Sequence, residues 1–215
     1  MGWRCYRCGA SLILRKNKII LYFVEQCYTY RIMKYAIEIS EPKISKTLFA
    51  DTRMAWLWLM VRLYVGWQWL SAGLEKIQSP AWVGSSAGSA LKGFVAGSLQ
   101  KASGAHPDVQ GWYASFLQGV IMPHAAFFSH IVAYGELLVG AALIIGVLTG
   151  IAAFFGVFMN MNYLFAGTVS INPLLLLCGL FLILAWRIAG WYGADRFLLP
   201  LLGTPWQKGT VFGNQ

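Results

Sequence analysis

The sequence predicts an all-α membrane protein: a four-helix transmembrane bundle with short interfacial helices in its outer loop. Three observations lead there. Hydrophobic types make up 58 % of the 215 residues and charged types 12 %, against about 25 % charged in an ordinary soluble domain. The apolar excess is concentrated in long runs after residue 52, the pattern of several membrane spans rather than of one large soluble core. Ten tryptophans, many near the ends of those runs, suit the aromatic belt at a membrane–water interface.

The charge distribution supports the same class. The net charge is +9, yet ten of the 17 Lys/Arg residues lie within residues 1–53, ahead of the first long apolar run. Such a block holds an N-terminus on the cytoplasmic side and attracts anionic lipid heads. No recognition motif accompanies the charge, so nucleic acid is not an expected partner. Cys5 and Cys8 form a CxxC, but no second pair follows at zinc-ribbon spacing, which leaves a redox pair or half a metal site as weak readings.

Residues 1–32 hold two short apolar runs, Leu12–Leu14 and Ile19–Val24, split by Arg15, Lys16 and Lys18. Neither is long enough to span a bilayer, and the signal-peptide pattern fails. Two readings stand: a basic segment of the protein proper, or a start-site extension with Met33 as the natural start. Pro42 interrupts any helix near it, and ISKTLFADTR reads as an amphipathic lead-in along the inner membrane face. Asp51 or Thr52 is the expected N-cap of the first span.

Span one is TRMAWLWLMVRLYVGWQWLSAGLEK, Thr52 to Lys76. A helix of about 20 apolar residues crosses a ~30 Å hydrocarbon layer. Arg62, Gly66, Trp69, Gly73 and Lys76 share one of its faces, and glycines so spaced let another helix approach closely. Residues 77–123 are rich in Gly, Ser and Ala. Two short helices are expected there, one with Leu91, Phe94, Val95 and Leu99 on a single face, the other with Trp112, Phe116, Leu117 and Val120. His106-Pro107-Asp108 marks the turn between them. Span two runs from about Ala125 to Leu148, and Leu148-Thr149-Gly150 turns tightly into span three, Ile151 to about Val169, its antiparallel neighbour. Span four begins at Asn172-Pro173, where Pro suits a first helical turn, and reaches about Gly190. Four crossings put both termini in the cytoplasm, and the Lys/Arg distribution agrees. The expected division is a basic segment over residues 1–47, a membrane domain over 48–203 and a cytoplasmic tail over 204–215.

Arg62, Glu136 and Asn160 each lie about nine to eleven residues into a span, which at ~1.5 Å per residue predicts a shared depth near the midplane. An intramembrane charge needs a partner or a function, so an Arg62–Glu136 pair is expected, with Asn160 hydrogen-bonding either one. It is either a pair that fixes helix packing or the polar pocket of a lipid-soluble ligand or proton relay, with Glu136 as the protonatable group. Trp67 and Trp69 read as flat ligand surface, belt or packing. Asn162 lies nearby on an uncertain face. His106, His124 and His130 do not form a metal motif, no metal site is expected, and no haem ligand pair or iron–sulfur cysteine set is visible.

The runs LFADTRMAWLWLMVRLYVGWQWLSAGLEKI, YGELLVGAALIIGVLTGIAAFFGVFMNMNYLFAGTVSINP and AWRIAGWYGADRFLLPLLG, from about Leu48 to Gly203, resemble the DoxX/DoxD family of small bacterial and archaeal membrane proteins. The resemblance implies a four-helix membrane bundle in the cytoplasmic (plasma) membrane. Its DoxD members resemble the membrane subunit of thiosulfate:quinone oxidoreductase, which works with a separate partner subunit; other relatives are associated with thiol and oxidative-stress handling. It implies a quinone-linked redox subunit or, alternatively, a non-enzymatic scaffold for a thiol or oxidative-stress complex, with the lipid bilayer, a small partner subunit or a second copy as partners. A small-solute transporter is a third, less favoured reading. By position it points to Arg62, Lys76, Glu136, Asn160 and Asp195. The candidate catalytic residues are therefore Arg62, Glu136 and Asn160, and the candidate ligand-binding set is Arg62, Trp69, Lys76, Glu136, Asn160 and Asn162.

Overall fold

The computed structural model describes residues 42–202. The expectations for the basic N-terminal segment, Cys5 and Cys8, the Met33 start and the tail beyond residue 202 lie outside the described residues. Among those described, every regular element is a helix and there is no strand. Helix α1 spans Lys43–Ala50, with Pro42 at its N-cap. A 3-10 turn over Thr52–Met54 follows, capped by the Asp51 carboxylate, which accepts the Arg53 N–H. Helix α2 spans Ala55–Gln78, α3 Ser89–Gln100 and α4 Gly111–Phe116; α4 runs on into a π-helical turn, Leu117–Ile121. Helix α5 is Ala125–Ile145, α6 Thr149–Phe165, α7 Asn172–Leu184, α8 Trp186–Ala189 and α9 Asp195–Leu201.

The closest packing is between α2 and α5, and glycine makes it possible. A Cβ at Gly73 would lie 2.5 Å from the Leu137 nitrogen, and one at Gly66 2.9 Å from Ile144 Cγ1. Gly140 of α5 meets the Leu70 backbone in the same way. These contacts fix an antiparallel register: residue 66 faces 143–144, 70 faces 140, and 73 faces 136–137. Van der Waals contact between backbones holds the pair at this short range. Around this seam one core gathers Trp58, Val65 and Trp69 with Val139, Leu143, Ala153, Leu182 and Ile188. The lead-in helix is tied to it by Trp58 Nε1, which donates to the Leu48 carbonyl at 2.7 Å.

A second core covers one end of α5. It joins Leu91 and Val95 of α3 to Tyr113, Leu117 and Ile121. This corrects the expected face of the second short helix. Leu117 does face inward, but Trp112, Phe116 and Val120 are exposed, and the buried stripe is Tyr113-Leu117-Ile121. The stripe keeps the i, i+4 spacing of a helical face, and its last step runs through the π-helical turn.

Several boundaries shift. Span one begins as a 3-10 turn and becomes α-helical at Ala55. The helix of span two stops at Ile145, because Gly146 takes the left-handed conformation (φ 75°) that closes helix ends. Gly146 is thus a turn residue, and Gly150 packs on Trp186. The tight turn sits over residues 146–148, with Leu148 also left-handed at φ 46°, so α6 starts at Thr149. The fourth apolar run breaks at Ala185 into α7 and α8. Of the described helices, α5 alone is long and apolar enough to cross a membrane by length and composition; α6 and α7 are apolar but shorter.

Candidate functional site

The polar residues form two clusters, not one. Register explains why. Glu136 faces residue 73 of α2, whereas Arg62 lies eleven residues back along that helix, about 16 Å at 1.5 Å per residue. The expected Arg62–Glu136 pair therefore does not form. Equal counts from the start of each span do not give equal depth against a neighbour when the spans run antiparallel and begin at different heights.

In the first cluster Lys76, one turn beyond Gly73 on the same face, reaches Glu136 instead: Nζ lies 2.7 Å from Oε2. Glu136 is 1 % exposed. Its other oxygen, Oε1, accepts the Tyr163 hydroxyl at 2.5 Å. Both carboxylate oxygens are thus bound by donors on two other helices, which a buried carboxylate requires. The Lys76 side chain keeps 19 % of its surface exposed, and its ammonium sits 5.2 Å from the centre of the Trp82 ring. Trp69 is buried and stacks on Tyr163 at 6.4 Å between centroids; Gly156 of α6 leaves room for its indole nitrogen.

Tyr163 also lines a cavity of about 220 Å³. Its walls are almost wholly apolar and largely aromatic, with contributions from Trp82, Phe94, Phe116, Phe128 and Phe158. The polar exceptions are the tyrosines and Asn162. The Tyr113 hydroxyl donates within reach of both oxygens of Asn162, carbonyl at 3.0 Å and Oδ1 at 3.1 Å, while Asn162 Nδ2 donates to the Phe158 carbonyl. Burial pushes the Tyr113 phenol up to about 12, so it stays a donor at any physiological pH.

Asn160 stands apart from this cluster. It is 1 % exposed, and its Nδ2 donates to the Asn172 carbonyl at 2.9 Å, tying α6 to the start of α7. It bonds neither Glu136 nor Arg62, which corrects the expectation placed on it.

The second cluster lies near the other end of α2. Arg62 is 1 % exposed, and Nη2 donates to the Tyr192 carbonyl at 3.1 Å. Its guanidinium occupies a slot that exists because residues 146 and 193 have no Cβ. Asp195 supplies the opposing charge. That carboxylate accepts the Leu148 N–H at 2.5 Å and the Thr149 N–H at 2.8 Å, capping the N-terminus of α6 from a distant part of the chain. Arg62 and Asp195 thus fasten the segment after α8 to the turn before α6.

Of the six expected ligand-binding residues, the structure brings Trp69, Lys76, Glu136 and Asn162 to one region and leaves Arg62 and Asn160 elsewhere. Sequence reasoning missed Tyr163 and Tyr113. Tyr163 lies three residues beyond Asn160, a spacing that brings side chains to one helix face.

A family model described as DoxX matches residues 57–169, more than half of the chain. The matched stretch contains Lys76, Glu136, Tyr163 and the cavity; Asp195 falls beyond it. No curated protein and no solved structure matches the chain.

Proposed function

The chain belongs to the DoxX family, whose members are membrane-associated, and on that premise we propose that it is a multi-pass membrane protein whose aromatic cavity binds the ring of a quinone. In this reading α2, α5, α6 and α7–α8 are the four crossings. The exposed surfaces of α5, α6 and α7 carry Phe127, Leu138, Ile145, Phe154, Phe158 and Leu177, a density of apolar side chains that suits acyl chains rather than water.

One observation carries the reading: Tyr163 joins an aromatic-walled cavity to the Glu136–Lys76 pair. The cavity fits the ring. An apolar cavity of about 150 Å³ holds benzene, and this one measures about 220 Å³. A bound quinone supplies two-electron redox chemistry and takes up or releases protons with it. Aromatic walls orient a flat ring and exclude water. The Tyr163 hydroxyl oxygen keeps a lone pair for a ring hydroxyl while its proton faces Glu136. Glu136 holds that proton's position, and Lys76, partly exposed, links the carboxylate to the aqueous edge.

The test is equilibrium binding of a water-soluble benzoquinone to the purified protein, read by tryptophan quenching. Binding above partition into detergent is expected. Tyr163→Phe removes the acceptor for a ring hydroxyl and weakens the corresponding hydroquinone about fivefold, while the quinone, with no hydroxyl to donate, stays within about twofold. No saturable binding in the wild type overturns the quinone reading and leaves a non-enzymatic scaffold.

A further inference from the structure

The cavity has a closed side and an open side. Val95, Leu117 and Tyr113 on one flank are 0–4 % exposed. Phe158, Ile131 and Phe116 line the same cavity yet are 59 %, 49 % and 37 % exposed. Those three come from α6, α5 and α4, so the opening lies where the three elements meet.

The path of α5 against α6 shows why an opening exists there. The two helices leave the tight 146–148 turn together. They still touch at Gly156 against Val139, and at Gly135 against the sulfur of Met159. One turn farther on, Ile131 and Val132 on α5 and Asn162 on α6 line the cavity. Beside the Tyr163–Glu136 contact the cavity opens between the two helices beyond Met159, a flexible side chain able to shift. Phe127 of α5 and Phe155 of α6, one turn before Ile131 and Phe158, are exposed as well.

We propose that this opening is a lateral window to the lipid phase, and that the cavity's ligand is an amphiphile with a hydrocarbon tail. The ring lies toward Tyr163 and the tail leaves between Ile131 and Phe158 into the bilayer. The inference rests on the ring-binding reading above and adds the ligand's route and its tail. The Phe158, Ile131 and Phe116 side chains give a polar solute no hydrogen-bonding partner, and the Asn162 amide beside them is already engaged by the Phe158 carbonyl and the Tyr113 hydroxyl, whereas an alkyl chain crosses with no polar group to desolvate. The tail stays in contact with lipid while the ring is enclosed, so the ligand need not pass through water.

The test compares two probes on protein in phosphatidylcholine liposomes: a tailless dimethoxy-methyl-benzoquinone and the same ring bearing a decyl chain. Ile131→Trp fills the window. Because position 131 is half exposed, the larger ring does not disturb the core. Overfilling a packed channel costs enough to weaken the decyl probe about tenfold or more, while the tailless ring stays within about twofold. Ile145→Trp, on the same helix but away from the cavity, leaves both probes within about twofold. Phe158→Ala widens the window and keeps decyl binding at wild-type strength or better. Equal effects of Ile131→Trp and Ile145→Trp on the decyl probe overturn the window while tailless binding preserves the ring site. Wild-type protein that binds neither probe overturns the ring site and the window together.

Discussion

At the residue scale, the central fact is which cation meets Glu136. Its presence inside an apolar run was legible in the sequence, as was the need for a positive partner. The partner was not, because composition gives two cations on one face of α2, Arg62 and Lys76, and only register chooses between them. The glycine contacts make that choice in favour of Lys76. A double-mutant cycle tests it directly. Lys76→Met or Glu136→Gln alone leaves a buried group without its counterpart and destabilises by about 3 kcal/mol. The double variant is expected to lose less than the two single losses together, giving a coupling of about 1 kcal/mol or more. Arg62→Met is expected to show no coupling with Glu136→Gln beyond about 0.5 kcal/mol, since the two share no partner. Thermal unfolding in detergent of the five variants reads both outcomes, and strong Arg62–Glu136 coupling would contradict the register described above.

At the element scale, the apolar runs, the Gly66/Gly73 face of α2 and the antiparallel pairing of α5 and α6 were all readable from spacing. The helix ends were not. A left-handed Leu148 has no signal in sequence; it holds its strained conformation because Asp195, 47 positions away, accepts its N–H. Likewise the break at Ala185 lies inside a run that is uniformly apolar. What glycine does in α2 differs from what it does in α3, although each helix holds two, seven residues apart in α2 and four apart in α3. Gly73→Ala places a Cβ 2.5 Å from the Leu137 nitrogen, and backbone cannot step aside as a side chain does. The α2–α5 seam has to widen, and a loss of about 3 kcal/mol or more is expected. Gly93 of α3 has nothing within 4 Å of its added Cβ, so Gly93→Ala is expected to stabilise by about 0.5–1 kcal/mol through backbone entropy alone. Opposite shifts in unfolding temperature for these two variants are the signature; equal shifts would show that helix propensity rather than close approach governs α2.

At the scale of the whole molecule, the question is what solvent surrounds the apolar exterior. The sequence shows ten tryptophans, many near the ends of apolar runs, without showing which face outward, because a belt residue and a core residue differ by direction and not by type. Trp67 and Trp69 make the distinction two positions apart on one helix. Trp67 is 61 % exposed and Trp69 4 %, as a ~100° turn per residue requires of neighbours on opposite sides of a helix wall. If the exterior of α2 contacts acyl chains, a variant retaining only Trp67, with phenylalanine at the other tryptophan positions, is quenched strongly in liposomes of brominated phosphatidylcholine. A variant retaining only Trp69 resists that quenching, since its ring is buried against Tyr163. The aqueous quencher acrylamide is expected to reach neither one well. Strong acrylamide quenching of Trp67 with weak bromolipid quenching would place that face in water, and the apolar girdle of α5, α6 and α7 would then need a protein partner rather than a bilayer to cover it.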